Sequence, residues 1–343
     1  MKSNEHMPHD HTPLGVAPWC LIDTGFDAGR AALHETLFCV GNGRIGLRGA
    51  HEEGACWPGT EQDAIYINGF HDVEDIHYPE NAHSLPRQNQ FIVAVPNGKA
   101  VWWRIDEETF DPRTGVIEGF ERTLDFESGM LTRAFVWVSP NGRRVAVTSH
   151  RMVSFEREAV CALRYEIRVL DGAARITISS AIDARAHEME ASDDPRVGSA
   201  NAAKALVEVA AERMLGQVVL LHRAKHSGLA VATALHSQLR TEKHGLASGE
   251  DAGAAACLGH RFEVEVVQGE CLQLDKTFGF VTSQHAAQDE LMALASRAVD
   301  EAALAGFDLL CAEQRAYLWR FWQDADVRIE GDDAMQQGLR FNL

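Results

Sequence analysis

LFCVGNGRIGLRGAHEEG, residues 37–54, places Gly41, Gly43 and Gly46 at the spacing of a dinucleotide-binding fingerprint. That fingerprint needs a strand before it, a helix after it and an acid about 20 residues on. ETLFCV reads as the strand, but RIGLRGAHEEG is glycine-rich and carries no helical stripe. Asn42-Gly43 suits a hairpin turn, and Cys39, Gly41, Ile45 and Leu47 alternate as strand residues do. The glycines are therefore read as turn and close-packing residues of a β-hairpin, and the fold as β.

The same period of two runs from about Trp19 to Ser283. FIVAVPNGKAVWWRI reads as strand, Asn97-Gly98 turn, strand. The plan repeats around Asn141-Gly142, Asp171-Gly172 and Gln268-Gly269. Such dipeptides between alternating apolar runs are hairpin signals, because their corner residues need positive φ. Well over ten strands in one span predict two large antiparallel sheets packed face to face. The stretch from about Ala184 to Met214 reads as a polar loop (ASDDPRVGSAN) followed by a strand.

At Ser283 the period changes. SQHAAQDELMALASRAVDEAALAG sets Leu291, Leu294, Ala295, Ala298 and Ala302 on one helical face and ends at Gly306. A second helix is predicted from Asp308 as N-cap, carrying Leu310, Tyr317, Leu318 and Phe321. After IEGDD a third begins, capped by Asp332 or Asp333, with Met335, Leu339, Phe341 and Leu343 as its apolar residues. So short a helix is marginal alone, and the chain reads as the front part of a longer protein. The expected organisation is a disordered tail over 1–16, a β domain over 17–283, a helical linker over 284–328, and the first helix of a further domain over 329–343.

Composition bounds the function. The 343 residues are 45% apolar, enough for a sizeable core. A net charge of −18 disfavours nucleic acid and anionic membranes as partners. The seven cysteines show no CxxC spacing, and most sit in apolar runs, which predicts reduced thiols and a cytoplasmic protein rather than a disulfide framework or zinc ribbon. The N-terminus has no apolar signal region, and no stretch approaches the ~18 apolar residues of a membrane span. His6, His9 and His11 lie in a Pro-containing tail with nothing to fix them as ligands, so no metal is expected. Residues 69–90, with His71, Asp72, Glu74, Asp75, His77 and His83, read as a long polar loop. A metal site, a partner-facing or cleft-facing loop and a plain surface loop all remain open for it. Trp102, Trp103 and Trp137 are core aromatics or a sugar-stacking platform; neighbours on a strand face opposite ways, so at most one of Trp102 and Trp103 is core. No Gly-x-Ser-x-Gly elbow, His-Glu-x-x-His or phosphate-binding loop occurs.

Three segments carry a resemblance. Glu35, Thr36, Leu37, Phe38, Gly41, Asn42, Gly43, Gly46, Arg48, Gly49, Glu52 and Glu53 resemble the opening signature of family 65 glycoside hydrolases and phosphorylases. IYINGFHD (65–72) resembles a second family segment. WRFWQDADVRIEGDDAMQQGLRFNL, with Trp322, Asp326, Gln337, Arg340 and Phe341, resembles the passage into the family's catalytic domain. The resemblance implies a galactose mutarotase-like β-supersandwich, a helical linker and the first helix of an (α/α)6 barrel. For the parent it implies an inverting glycoside phosphorylase or hydrolase acting on α-linked glucose disaccharides, with inorganic phosphate as co-substrate and no cofactor. The general-acid Glu and the phosphate site belong to the barrel, so no catalytic residue is expected in this chain. Arg48, Glu52, Glu53, His71, Arg340, Phe341 and Asn342 are the candidates for lining the sugar cleft. The implied partners are the chain's own barrel domain, the disaccharide and, as an option, a second copy. The competing reading is a carbohydrate-binding or dimerisation module; a mutarotase-like activity would need a His and a carboxylate converging on one concave face.

Overall fold

The computed structural model describes residues 14–54, 63–76, 84, 86–185, 205–214, 216–243, 245–254 and 256–343. The expected tail histidines and Cys56 lie outside these residues. Strands and helices are numbered in chain order. The largest sheet has eleven strands. Its spatial order is β1 (Gly15–Ala17), β2 (Cys20–Thr24), β9 (Val116–Asp125), β10 (Met130–Val138), β11 (Arg144–Val153), β12 (Val160–Val169), β20 (Cys271–Thr282), β16 (Ala230–Thr241), β15 (Gln217–Ala224) and β14 (Leu206–Met214), with β17 (Gly245–Leu246) on β16. A five-stranded sheet runs β18 (Glu250–Ala254), β19 (Cys257–Val266), β13 (Ala174–Asp183), β7 (Val101–Ile105), β8 (Glu108–Thr109). A four-stranded sheet runs β3 (Val40–Gly41), β4 (Ile45–Leu47), β5 (Ile65–Asp75), β6 (Gln88–Val95).

The protein is thus mainly β and antiparallel, as the sequence predicts. The second layer is divided between the two smaller sheets. Both face the large sheet across one core. Trp103 of β7 meets Trp137 of β10 edge to face at 5.6 Å, and Phe110 stacks on Trp103 at 4.6 Å. Trp103 is therefore the core member of its pair, while Trp102 faces outward.

Burial alternates along β10 and β11, which have one covered face. β15 and β16 are buried nearly throughout, and their sequences (VVLL, AVATAL) are correspondingly apolar without alternation. The cover on their second face is α2 (Leu291–Ala305), whose Leu291, Ala295 and Val299 pack on Val219, Ala232, Ala234 and Val281. Alanines on β16 let the helix approach closely. Gly306 ends this helix at φ 83°. α3 (Phe307–Ala325) follows at once and docks through Phe307, Leu310, Leu318 and Trp322. The buried amide of Gln314 accepts from the Phe155 N–H at 3.0 Å and donates to the Val153 carbonyl at 3.2 Å. Gln314→Leu leaves the half-buried Phe155 N–H and the buried Val153 carbonyl without this partner; we expect a loss of about 1–3 kcal/mol of unfolding free energy, read from the urea midpoint. A loss near zero would mean the linker is not anchored there.

Several local expectations are corrected. Of the four turn signals, only Asn141-Gly142 closes a hairpin, between β10 and β11. Asn97-Gly98, Asp171-Gly172 and Gln268-Gly269 instead carry the chain from one sheet to another (β6 to β7, β12 to β13, β19 to β20). ETLFCV is not a strand: Glu35 to Leu37 end α1 (Ala31–Leu37), whose Ala-Ala-Leu-His-Glu run favours helix. Much of the expected 69–90 loop is the β5–β6 ribbon, since Asp72↔Phe91 and Asp75↔Gln88 are paired; residues 77–83 and 85 lie outside the described set. β1 begins at Gly15, two residues before the expected domain start. Asp308 is not a cap; Gly306 holds that position and Asp308 pairs with Arg164 at 2.7 Å. In α4 (Asp333–Phe341) the cap is Asp332, but the buried residues are Gln336 and Arg340, while Met335 is 60% exposed.

Candidate functional site

The opening motif folds into a hairpin whose turn is Asn42–Ile45. Asn42 N–H donates to the Ile45 carbonyl, and its side-chain oxygen accepts from the N–H groups of Arg44 and Ile45. Gly43, at φ 83°, is the first central residue, the position that admits only glycine readily. The Asn42 amide also donates to the Ser154 and Glu158 carbonyls, tying the hairpin to the β11–β12 turn.

Beyond β4 the chain buries Glu52 and Glu53 among three strands of the large sheet. Arg133 of β10 donates to Glu52 at 2.6 Å and to Glu53 at 2.7 Å. Arg151 of β11 donates to Glu52 at 2.9 Å and to the Ala50 and Arg48 carbonyls. Tyr165 of β12 donates to Glu53 and accepts from Trp103 Nε1 at 2.9 Å. The network therefore joins the large sheet, the five-stranded sheet and the segment that follows β4 through one pair of carboxylates. Burial pushes the Glu52 carboxyl up, but Arg133 and Arg151 together outweigh it and hold it below its ordinary 4.5. Burial and then Glu53 drive the Tyr165 hydroxyl well above its usual range.

A second charged group lies beside it. Arg122 of β9 donates to Asp23 at 2.8 Å, with His34 of α1 3.5 Å from the same carboxylate. Burial, then Arg122, lowers His34 to about 4, so its ring is neutral at pH 7. Asp23, His34, Glu35, His51 and Arg122 border a cavity of about 20 Å³, room for a water-sized group only.

Glycoside cleavage needs a carboxyl whose pKa is raised so that it can donate near neutral pH. Glu52 is shifted the opposite way and sealed from solvent, so its chemistry is that of a fixed counter-ion. The missed residues, Arg122, Arg133, Arg151 and Tyr165, left a signal. Each arginine occupies the apolar phase of its strand, as in Leu131-x-Arg133-x-Phe135-x-Trp137. An arginine in that phase must meet a buried acid.

The other candidates are placed elsewhere. Arg48 is half-buried and donates to the Thr36 hydroxyl at 3.0 Å, with Glu35 at 3.9 Å. His71 sits half-buried on β5 with its Nδ1 2.9 Å from the Gly69 carbonyl. Its neighbour Asp72 is buried and accepts from the His226 and Ser227 N–H groups, pinning the β15–β16 turn. Arg340 grips Asp326 through two bonds of 2.7 and 2.9 Å and lies 3.5 Å over the Trp19 ring. Phe341 and Asn342 are exposed beside it. Trp19, Asp125, Arg315, Trp319, Trp322 and Asp326 border a cleft of about 870 Å³ between the β domain and the helices.

Among the described residues no three His, Cys, Asp or Glu side chains are grouped to hold a metal ion, the six cysteines are unpaired, and no helix is long and apolar enough to cross a membrane. Residues 21–321 match the model of the glycosyl hydrolase family 65 N-terminal domain. The chain is 32% identical over 329 residues to an α,α-trehalose phosphorylase of Thermoanaerobacter brockii, covering 94% of this chain and 42% of that protein. It is 24% identical to a maltose phosphorylase of Bacillus subtilis, covering 96% of this chain and again 42% of the relative. A solved structure assigned as a kojibiose phosphorylase from the human microbiome shares the fold at a TM-score of 0.82 and 15% identity, covering 96% of this chain and 41% of that one.

Proposed function

The chain belongs to glycosyl hydrolase family 65 as its N-terminal domain, and from that premise we propose that it is the non-catalytic front of an inverting glycoside phosphorylase. The parent cleaves an α-linked glucose disaccharide with inorganic phosphate as nucleophile. The β domain and linker hold the catalytic domain in place and line part of its cleft. The single observation that carries this is the reversed face of α4. Its polar Gln336 and Arg340 are buried, while Met335, Phe341 and Leu343 stand 60%, 39% and 53% exposed. With Trp319, Phe321 and Val327 also open to solvent, the helices present an apolar surface that wants a cover. The chain spans about 42% of the length of the two phosphorylases named above, and we assign the cover to a region corresponding to the rest of theirs.

Within this reading, Arg48, His71, Phe341 and Asn342 keep accessible atoms and are the residues we assign to the sugar cleft. Glu52, Glu53 and Arg340 hold the frame. The unpaired thiols suit a reducing compartment, and cytoplasmic residence is part of the proposal. The test is to incubate the 343-residue chain, and the same chain joined to the rest of its polypeptide, with trehalose, maltose or kojibiose, with and without phosphate. We expect glucose 1-phosphate only from the longer protein and only with phosphate. Turnover by the 343-residue chain, or cleavage indifferent to phosphate, overturns the proposal.

A further inference from the structure

The outer face of the five-stranded sheet carries a trough whose shape follows from strand register. On central β13 the outward positions are small hydroxyl residues, Ser179 and Thr177. Ser179 lies between Trp102 of β7 and Arg261 of β19, and Thr177 opposite Arg104. A low floor between tall neighbours leaves an open depression of about 280 Å³, near the low end for small-ligand sites.

Its chemistry is specific. Trp102 is half-buried on a sheet face that is otherwise polar. Arg104 is oriented by the Thr177 hydroxyl, which accepts from its Nε at 3.2 Å. The remaining guanidinium groups are loosely matched by acids, Glu107 at 3.9 Å from Arg104 and Glu263 at 3.4 Å from Arg261. Arg185, held by two bonds to Asp183, sits over the Trp102 ring, 5.5 Å from its centroid, which leaves the other face of the indole for a ligand. Each cation thus has an acid within 4 Å, Glu263 being shared between Arg261 and Arg175. The trough combines an aromatic platform with guanidinium donors and hydroxyls, without the uncompensated charge that an anion would need.

A pyranose fits that description, with an apolar C–H face and a rim of hydroxyls. We propose that this trough is a carbohydrate-binding surface for one pyranose unit of a neutral sugar, stacked on Trp102 and hydrogen-bonded by Arg104 and Arg261. It is independent of the catalytic reading above, because it is defined wholly within this chain. Binding here would raise the local sugar concentration around whatever site cleaves it.

The experiment titrates the 343-residue chain with glucose, maltose, trehalose and maltoheptaose, and separately with inorganic phosphate, by calorimetry and by NMR of the tryptophan indole N–H signals. We expect saturable sugar binding that shifts the Trp102 signal. Trp102→Ala should weaken it about ten-fold, as the loss of one aromatic contact predicts. Trp102→Phe should retain most of it, and Ser179→Arg, which fills the floor, should abolish it while leaving the melting temperature unchanged. No binding of any sugar at concentrations on the order of tens of millimolar overturns the proposal. So does binding that survives both Trp102→Ala and Ser179→Arg, or sugar displaced by phosphate. None of these outcomes bears on phosphorolysis by the longer protein, so the two proposals fail separately.

Discussion

Replacing Arg133 by Met is expected to cost about 3–5 kcal/mol of unfolding free energy, the penalty for leaving buried charges without their partner. Glu52 and Glu53 would lose the bonds of 2.6 and 2.7 Å that Arg133 supplies, inside a core where both are at most 6% exposed. Arg151 still meets Glu52, so the network is halved rather than emptied. Urea denaturation of the two proteins measures the effect, and a loss below about 1 kcal/mol, the range of an exposed pair, would show that the carboxylates are not relying on it. The pH dependence gives a second reading. The folded-state pKa of Glu52 is below its ordinary 4.5, so its contribution is present above that value and is lost as pH falls through the folded-state pKa. Without Arg133 the Glu52 carboxyl takes up its proton at higher pH, because burial, which raises its pKa, is then opposed by Arg151 with less help. The difference between variant and wild type should therefore shrink from pH 7 toward pH 4.

Gly49→Ala is the second large effect. A Cβ there would lie 2.7 Å from the His34 carbonyl oxygen and 2.8 Å from the Phe38 carbonyl carbon and oxygen. These are backbone atoms of the α1 turn, and the Gly49 N–H is itself held at 2.7 Å by the Glu35 carbonyl. Neither side can yield without displacing α1 or the strand that leads to Glu52. We expect a loss of about 3 kcal/mol, the upper part of the range for overpacking. Gly46→Ala, three residues earlier, is the control: its Cβ meets nothing within 4 Å. It should be neutral or stabilise by up to about 1 kcal/mol through the unfolded chain. Parallel melts decide; equal effects at the two positions would refute the close-packing account of Gly49.

That contrast bears on how much of the motif could be read in the chain. The sequence distinguishes a β-hairpin from a nucleotide loop, because Ile45 and Leu47 alternate and no helical stripe follows. It does not distinguish Gly46 from Gly49, since the atoms crowding Gly49 belong to α1, read there as a strand. Glu52 and Glu53 look like cleft residues in a string of polar letters. Their partners Arg133 and Arg151 lie 80 and 99 positions away, and only strand pairing brings them to one place. The phase of those arginines within their strands was legible, but which acids they meet was not. In α4 a cap at Asp332 or Asp333 was legible, and Asp332 holds it; which face is buried was not legible, because Gln336 and Arg340 are drawn in by Val327, Ile329 and Asp326, whose positions only the fold supplies.

The sequence alone determined that the chain is built of antiparallel strands followed by helices, and to which family it is akin. Alternation and turn glycines act over a few residues, and each declares itself locally. Only the tertiary structure decided where each strand goes after its turn. Asn141-Gly142 closes a hairpin, whereas Asp171-Gly172 and Gln268-Gly269 cross between layers, although all three glycines have positive φ. A positive-φ corner reverses the chain equally well in either case. Which neighbour the next strand then joins is set by the burial of its apolar face, a property of the whole core.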